Sequence, residues 1–324
     1  MKKIAVIFTG GTISMTVDNR LKAAIPSMDG QEIMSMVTNI DQIARLETVD
    51  FGQYPGPHMT PKRMIELKML VAKKLSEPDI DGIVITHGTD NLEETAYLLD
   101  LTLKSNKPVV VVGAMRNGSE LGYDGPSNLS AAICTAIHPE SAGRGVLVVL
   151  NDEVNSAREV TKTHTMSLDT FKSLDFGPIG IVDQQDVIFY RKGLHPTTFI
   201  ETDSLETEVH LLKAVSGMDS KILDFLVQSG AKGIVIEAMG RGNVPPQMME
   251  GIKKAAASQI PVIVVSRCPT GRVLATYGYE GGGASLEKAG AMLVSTLNGQ
   301  KARIQLMLAL SKTQDLKQIK EYFL

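Results

Sequence analysis

Two short turns in the chain set hydroxyls beside glycines. The first is Thr9-Gly10-Gly11-Thr12-Ile13, the second Thr86-His87-Gly88-Thr89-Asp90-Asn91. Paired glycines let the backbone turn tightly and present its N–H groups. Such groups bind an anion or steady a developing oxyanion. A threonine beside them becomes a nucleophile for an acyl carbon once a base takes its proton. A base candidate follows in Arg158-Glu159-Val160-Thr161-Lys162-Thr163-His164. A lysine that is partly buried loses basicity and can act as a base. Thr89, Lys162 and Asp90 would then form a relay, in which Lys162 takes the hydroxyl proton and Asp90 orients the lysine and balances its charge.

Each motif has a plainer reading. The first turn can be an ordinary Gly-rich βα connection. In the second, Asp90 followed by Glu93 can open the next helix as a capping box. Lysines are mostly solvated surface charges. Dinucleotide binding is excluded on detail, because no GxGxxG is present. The two turns gain meaning as a pair, since both close apolar runs that read as parallel strands and both can face one crevice.

Those strands are expected over residues 4–8, 44–49, 83–86, 109–112 and 146–150. They are apolar throughout, as in a parallel sheet covered on both faces. Helical patterns lie between, over 61–75, 91–103 and 127–138. This order predicts an α/β fold with a doubly wound, mainly parallel sheet and ligands at strand C-termini. Patterning weakens over 191–208, which contains Pro196 and is read as a linker. It separates an N-terminal catalytic domain, 1–190, from a smaller C-terminal α/β domain, 209–324. In the latter, helices are expected over 222–228, 246–257, 287–297 and 301–310, and strands over 233–236 and 262–265. The polar stretch 13–30 after the first turn reads as a long irregular loop, either disordered or an active-site lid.

Composition bounds the function classes. With 324 residues the chain is long enough for two domains. A hydrophobic share of 43% and a charged share of 21% fit a soluble globular protein. The net charge of −3, with no Lys/Arg run, argues against a nucleic-acid partner. No apolar stretch is long enough to span a bilayer, and the run 4–8 is too short for a signal peptide. Cys134 and Cys268 lie far apart and outside any CxxC motif, so a reducing cytoplasm is expected rather than a disulfide framework.

At this point the chain resembles the bacterial-type L-asparaginases, which include glutaminase-asparaginases, over nearly its whole length. Val6 to Ser14 looks like the first signature of that family and Gly82 to Asp90 like the second. Met115-Arg116 with Asp124-Gly125-Pro126-Ser127-Asn128-Leu129 is similar to a further block. So are Val160 to Thr163 with Thr170 to Ser173, and Pro269-Thr270-Gly271. The resemblance implies that Thr12 attacks a side-chain amide, releases ammonia and leaves an acyl-enzyme for water to hydrolyse. Thr89, Lys162 and Asp90 would be the second triad, with oxyanion donors near Gly11 and Thr89. Substrate would touch Gly11, Gly56, Pro57, His58, Gly88 and Asp90, which takes the α-amino group. A neighbouring subunit would add Asn243 and Glu280, in a homodimer or homotetramer with sites at the interface. Neither metal nor organic cofactor is implied.

The sequence departs from that family at three places. The lid carries no tyrosine, since none occurs before Tyr54. The segment that grips the α-carboxylate reads Pro55-Gly56-Pro57-His58-Met59-Thr60, without the family's serine, and His58 is the substitute donor or a loop residue. Asn91 replaces the usual threonine and is expected to affect helix capping. Glu77 and Ser105 lie where the secreted branch holds a disulfide, which favours the cytoplasmic branch. The expectation is a hydrolase of L-asparagine. The alternatives are glutamine or another small amide, a peptide-terminal asparagine, an ammonia supplier for an amidotransferase, or a non-catalytic amino-acid-binding protein.

Overall fold

The computed structural model describes residues 1–193 and 198–324, in two compact units, Met1–Phe199 and Ile200–Leu324. Pro196, in the stretch read as a linker, lies outside the described residues.

The first unit opens with β1 (Lys3–Phe8), a short 3₁₀ turn (Thr12–Ser14) and a hairpin of β2 (Met15–Asp18) and β3 (Ala23–Pro26). It continues through α1 (Gly30–Ser35), α2 (Ile40–Ile43), β4 (Arg45–Asp50), α3 (Pro61–Ser76), β5 (Gly82–Thr86), α4 (Leu92–Thr102), β6 (Val109–Val112), α5 (Gly125–Ile137), β7 (Val146–Leu150), β8 (Glu153–Ser156), β9 (Thr161–Lys162), β10 (Phe171–Lys172), β11 (Gly180–Asp183) and β12 (Asp186–Phe189). Eight strands form one sheet in the order β12-β11-β8-β7-β6-β5-β1-β4. β4 to β7 with β1 are parallel, and β8, β11 and β12 add an antiparallel edge.

Alternate residues of the same strands serve two cores. Ile4, Val6, Val84 and Val110 pack under Ile33 of α1 and Leu129 and Ile133 of α5. Ala5, Ile7, Ile83 and Ile85 pack under Leu67 and Val71 of α3 and Leu92, Ala96 and Leu99 of α4. Burial on both faces is why these runs carry no alternation. From β1 the chain moves outward to β4, then returns past β1 to β5 and onward. The direction of winding therefore reverses between β1 and β5, and a doubly wound sheet opens its ligand crevice there.

The second unit contains β13 (Val209–Lys213), α6 (Lys221–Gln228), β14 (Gly233–Ala238), α7 (Met249–Ala257), β15 (Val262–Ser266), α8 (Gly283–Lys288), β16 (Met292–Leu293), α9 (Gly299–Leu310) and α10 (Leu316–Glu321). Its four strands are parallel, in the order β13-β14-β15-β16. One face packs Ile234, Ile236, Val262 and Val264 against α6 and α7. Gly233 leaves room for Leu306 and Leu310 of α9.

Three expectations need correction. The stretch 13–30 is not an irregular loop, because β2 and β3 pair antiparallel from Met15↔Pro26 to Asp18↔Ala23. The hairpin is tied down from outside: Gly118 N donates to Met15 O at 2.9 Å, and Val17 N to Ser119 Oγ at 2.9 Å. The helix expected over 287–297 ends at Lys288, because Gly290 sits at φ +95°, and Met292–Leu293 then pairs with β15 as β16. The capping box of Asp90 and Glu93 does not form. Asn91 is the N-cap of α4 and its side chain makes no capping hydrogen bond.

Candidate active site

β4, β1 and β5 are neighbours, and the loops that leave their C-terminal ends meet at glycines. A Cβ on Gly11 would lie 2.4 Å from Gly88 Cα, and a Cβ on Gly88 would lie 2.7 Å from Gly56 N. No side chain fits between these backbones, so the glycines are what allow the three turns to touch. Thr9 Oγ1 adds a buried hydrogen bond to Thr86 O at 2.7 Å, which locks the first turn to the second. Ser14 closes the 3₁₀ turn, donating from its backbone N and its Oγ to Gly11 O at 3.0 and 2.9 Å. Thr12, Thr89, Asp90 and the loop of Gly56, Pro57 and His58 are thereby gathered at the winding reversal.

Lys162 arrives on a different device. β9 and β10 form a two-stranded ribbon with Phe171 opposite Lys162 and Lys172 opposite Thr161. The blocks around Thr161 and Thr170 are thus the two arms of one structure. Lys162 Nζ donates to Thr89 Oγ1 at 2.9 Å and to Asp90 Oδ1 at 2.9 Å. Thr89 is buried, the Lys162 side chain is 16% exposed, and that of Asp90 is 65% exposed. The lysine therefore bridges a buried hydroxyl and an open carboxylate. Asp90, Lys162, Thr163, His164 and Thr165 line a cavity of about 270 Å³. Thr12 is half-buried, and its hydroxyl has no hydrogen-bond partner among the described residues. A free hydroxyl among the described residues, two packed glycine turns and a lysine–threonine–aspartate cluster at neighbouring strand ends are parts suited to attack on a carbonyl.

The supporting residues include several to which the sequence reading assigned another role or none. Glu93 is buried. Its Oε1 accepts from Thr161 Oγ1 at 3.1 Å and from Lys162 N at 3.4 Å. It holds the strand that carries the lysine. Its position in the first turn of α4 suggested capping, and only the apolar neighbours Leu92 and Ala96 hinted at burial. Asn91 donates from Nδ2 to Met59 O at 3.0 Å, so its role is to tie the Gly56 loop rather than to cap α4. Arg63 stacks its guanidinium over the Tyr54 ring at 4.2 Å and donates to His58 O. Tyr123 donates its phenol to Ile13 O, next to Thr12. Burial, and then the Asp124 charge, push the Tyr123 pKa up, so its phenol stays protonated and braces the turn as a donor. Asp124 accepts from Met115 N at 3.0 Å, Arg116 N at 2.9 Å and Asn128 Nδ2 at 2.9 Å, which gives that block a scaffolding role.

His87 is wholly buried, and desolvation holds its pKa down at about 4. Its Nδ1 lies 2.8 Å from Gly88 O, which can only accept, so the neutral ring carries its proton on Nδ1. His58 is exposed on its loop. Asn243 and Glu280 belong to the second unit. Asn243 exchanges both backbone hydrogen bonds with Met239, at 2.8 and 2.9 Å, and its Oδ1 is buried without a partner among the described residues. Glu280 is exposed just before α8. Among the described residues no group of three His, Cys, Asp or Glu side chains could hold a metal, and no helix is long and apolar enough to cross a membrane.

Fold and site define a two-unit α/β protein with a threonine-lined crevice at the strand ends of its larger sheet. Comparison with known proteins gives the family. A profile described as "Asparaginase, N-terminal" matches residues 3–195, and "Glutaminase/Asparaginase C-terminal domain" matches 208–323. An L-asparaginase of Bacillus licheniformis is 34% identical, covering 97% of each chain. A probable periplasmic L-asparaginase of Haemophilus influenzae is 38% identical over 100% of this chain and 93% of its own. The crystal structure of a probable cytoplasmic L-asparaginase from Campylobacter jejuni superimposes with a TM-score of 0.89 at 36% identity, over 100% of this chain and 99% of that one. The chain belongs to the asparaginase family.

Proposed function

We propose that this protein hydrolyses the side-chain amide of L-asparagine to L-aspartate and ammonia through an acyl-enzyme on Thr12. The observation that carries the reading is the Thr89–Lys162–Asp90 cluster, with both Nζ contacts at 2.9 Å, at the strand ends where the turn of Thr12 packs on the turn of Thr89. Thr12 Oγ forms the ester bond to the amide carbon as the C–N bond breaks. Its proton leaves with the amine as ammonia, and the Lys162–Thr89 pair supplies the route for that transfer in place of a lid tyrosine. Water then cleaves the ester and returns the proton to Thr12. Backbone N–H groups near Gly11 and Thr89 receive the oxyanion. Asp90 takes the α-ammonium, and the loop of Gly56, Pro57 and His58 lies against the α-carboxylate. Asn243 and Glu280 are proposed to reach the site of a second copy of the chain. The free, exposed Cys268 fits a reducing cytoplasm.

The test is ammonia release from L-asparagine, L-glutamine, D-asparagine and short peptides, with Thr12→Ala as the blank and enzyme concentration varied. Release from L-asparagine should exceed that from the other amides and fall by orders of magnitude in the variant. It should also drop on dilution if a second copy completes the site. Equal rates in wild type and Thr12→Ala would end the nucleophile assignment. Binding of L-asparagine without release would establish the amino-acid-binding reading instead.

A further inference from the structure

An asparagine at a helix N-cap ordinarily turns its side-chain oxygen onto the N–H of the second or third helical residue. Asn91 does not. Its Nδ2 donates to Met59 O at 3.0 Å, and its Oδ1 is buried without a partner among the described residues. The orientation is fixed, because turning the amide over would set Oδ1 against the carbonyl of Met59, acceptor against acceptor. A residue serving only the stability of α4 would use that oxygen as a cap. Here the cap is forgone and a buried acceptor is left unsatisfied, so the amide is spent on the loop. The loop's start is anchored by Tyr54 N on Thr9 O at 2.8 Å, and Gly56 packs on Gly88, but few other hydrogen bonds tie it to the body. Pro55 and Pro57 offer no N–H, its own bonds are local (His58 N to Pro55 O, Met59 N to Gly56 O), and Arg63 braces it from outside at His58 O. Gly56 presses on the same corner. A Cβ there would lie 3.1 Å from Asp90 Cβ and 3.3 Å from Asn91 Oδ1.

Asn91 is the covalent neighbour of Asp90, so its tie to Met59 fixes the distance between Asp90 and the Gly56–His58 loop. On the proposed function these two hold the α-ammonium and the α-carboxylate, which are bonded to one carbon and demand a fixed spacing. We infer that Asn91 is a specificity-determining positioning residue that selects ligands bearing both groups on one carbon. It touches no reacting atom. Losing the tie weakens ligands that use both subsites and spares those that use one.

Asn91→Ala removes the tie, and Asn91→Asp removes the donor while keeping the shape, so the second serves if the first does not fold. Each is assayed for kcat and KM on L-asparagine, and for inhibition by L-aspartate and by β-alanine, which is aspartate without its α-carboxylate. The expected result is a rise of roughly tenfold or more in KM and in the L-aspartate inhibition constant. The kcat should stay within about threefold and the β-alanine constant within about twofold. A merely structural role would lower kcat and weaken both inhibitors together, and that outcome overturns the inference. So do unchanged constants in both variants, while leaving the asparaginase reading intact. A wild type that neither hydrolyses L-asparagine nor binds L-aspartate removes the reading and the inference together.

Discussion

The contact of Gly11, Gly88 and Gly56 decides where Thr12, Thr89 and Asp90 go, and the residue beneath it is His87. Its imidazole is wholly buried at the end of β5, with Nδ1–H on Gly88 O. Desolvation holds its pKa at about 4, against 6.5 for the exposed ring. The sign follows from proton counting. Between these values the unfolded chain binds a proton that the folded chain does not, so stability rises with pH. The contribution is fully present above 6.5 and is lost as pH falls towards about 4, reaching about 3 kcal/mol. Denaturant unfolding of wild type and His87→Gln at a series of pH values checks this. The wild type should lose more stability than the variant across that window, and parallel curves would refute a neutral buried His87. Both Gly turns could be read from sequence because each must be glycine for a backbone reason. The burial of His87 could not, because nothing local separates a core imidazole from a solvated one.

At the scale of elements, the apolar strand runs β1, β5, β6 and β7 were legible, since two covered faces leave no polar position. The hairpin β2–β3 was not. Its residues are mostly polar or half-exposed, and it is ordered by hydrogen bonds to Gly118 and Ser119, about a hundred residues away. The edge strands β8, β11 and β12 are short and partly exposed, so they lack an apolar signature. Helix α4 shows how a local rule misleads. Asp90, Asn91 and Glu93 fit a capping pattern, yet Asp90 pairs with Lys162, Asn91 ties the Gly56 loop and Glu93 holds β9. Glu93→Leu tests the last arm. Leucine keeps much of the bulk but accepts from neither Thr161 Oγ1 nor Lys162 N, so Lys162 should lose its placement. We expect kcat to fall by roughly tenfold or more, with about 1–3 kcal/mol of stability lost on melting. A variant with unchanged kcat but lowered stability would leave Glu93 as a purely structural carboxylate.

For the whole molecule, the larger unit carries the reactive hydroxyls and the smaller carries Asn243 and Glu280. On the proposed function the class of chemistry follows from Thr12, Thr89, Asp90 and Lys162, and by the further inference choice among amides depends on the Gly56 loop and on Asn91. Residue spacing alone reached only a hydroxyl-lined crevice. The family signatures supplied the reaction, and the folded chain supplied the ties that sequence patterns hide. The central claim is that Thr12 carries the acyl group. The most direct measurement is to mix the enzyme with L-asparagine, quench in acid within the first turnover, digest, and read the peptides by mass spectrometry. The account predicts an aspartyl ester on Thr12, present in wild type and missing from Thr12→Ala. An ester on Thr89, or turnover of L-asparagine with no ester trapped on either threonine, would contradict it.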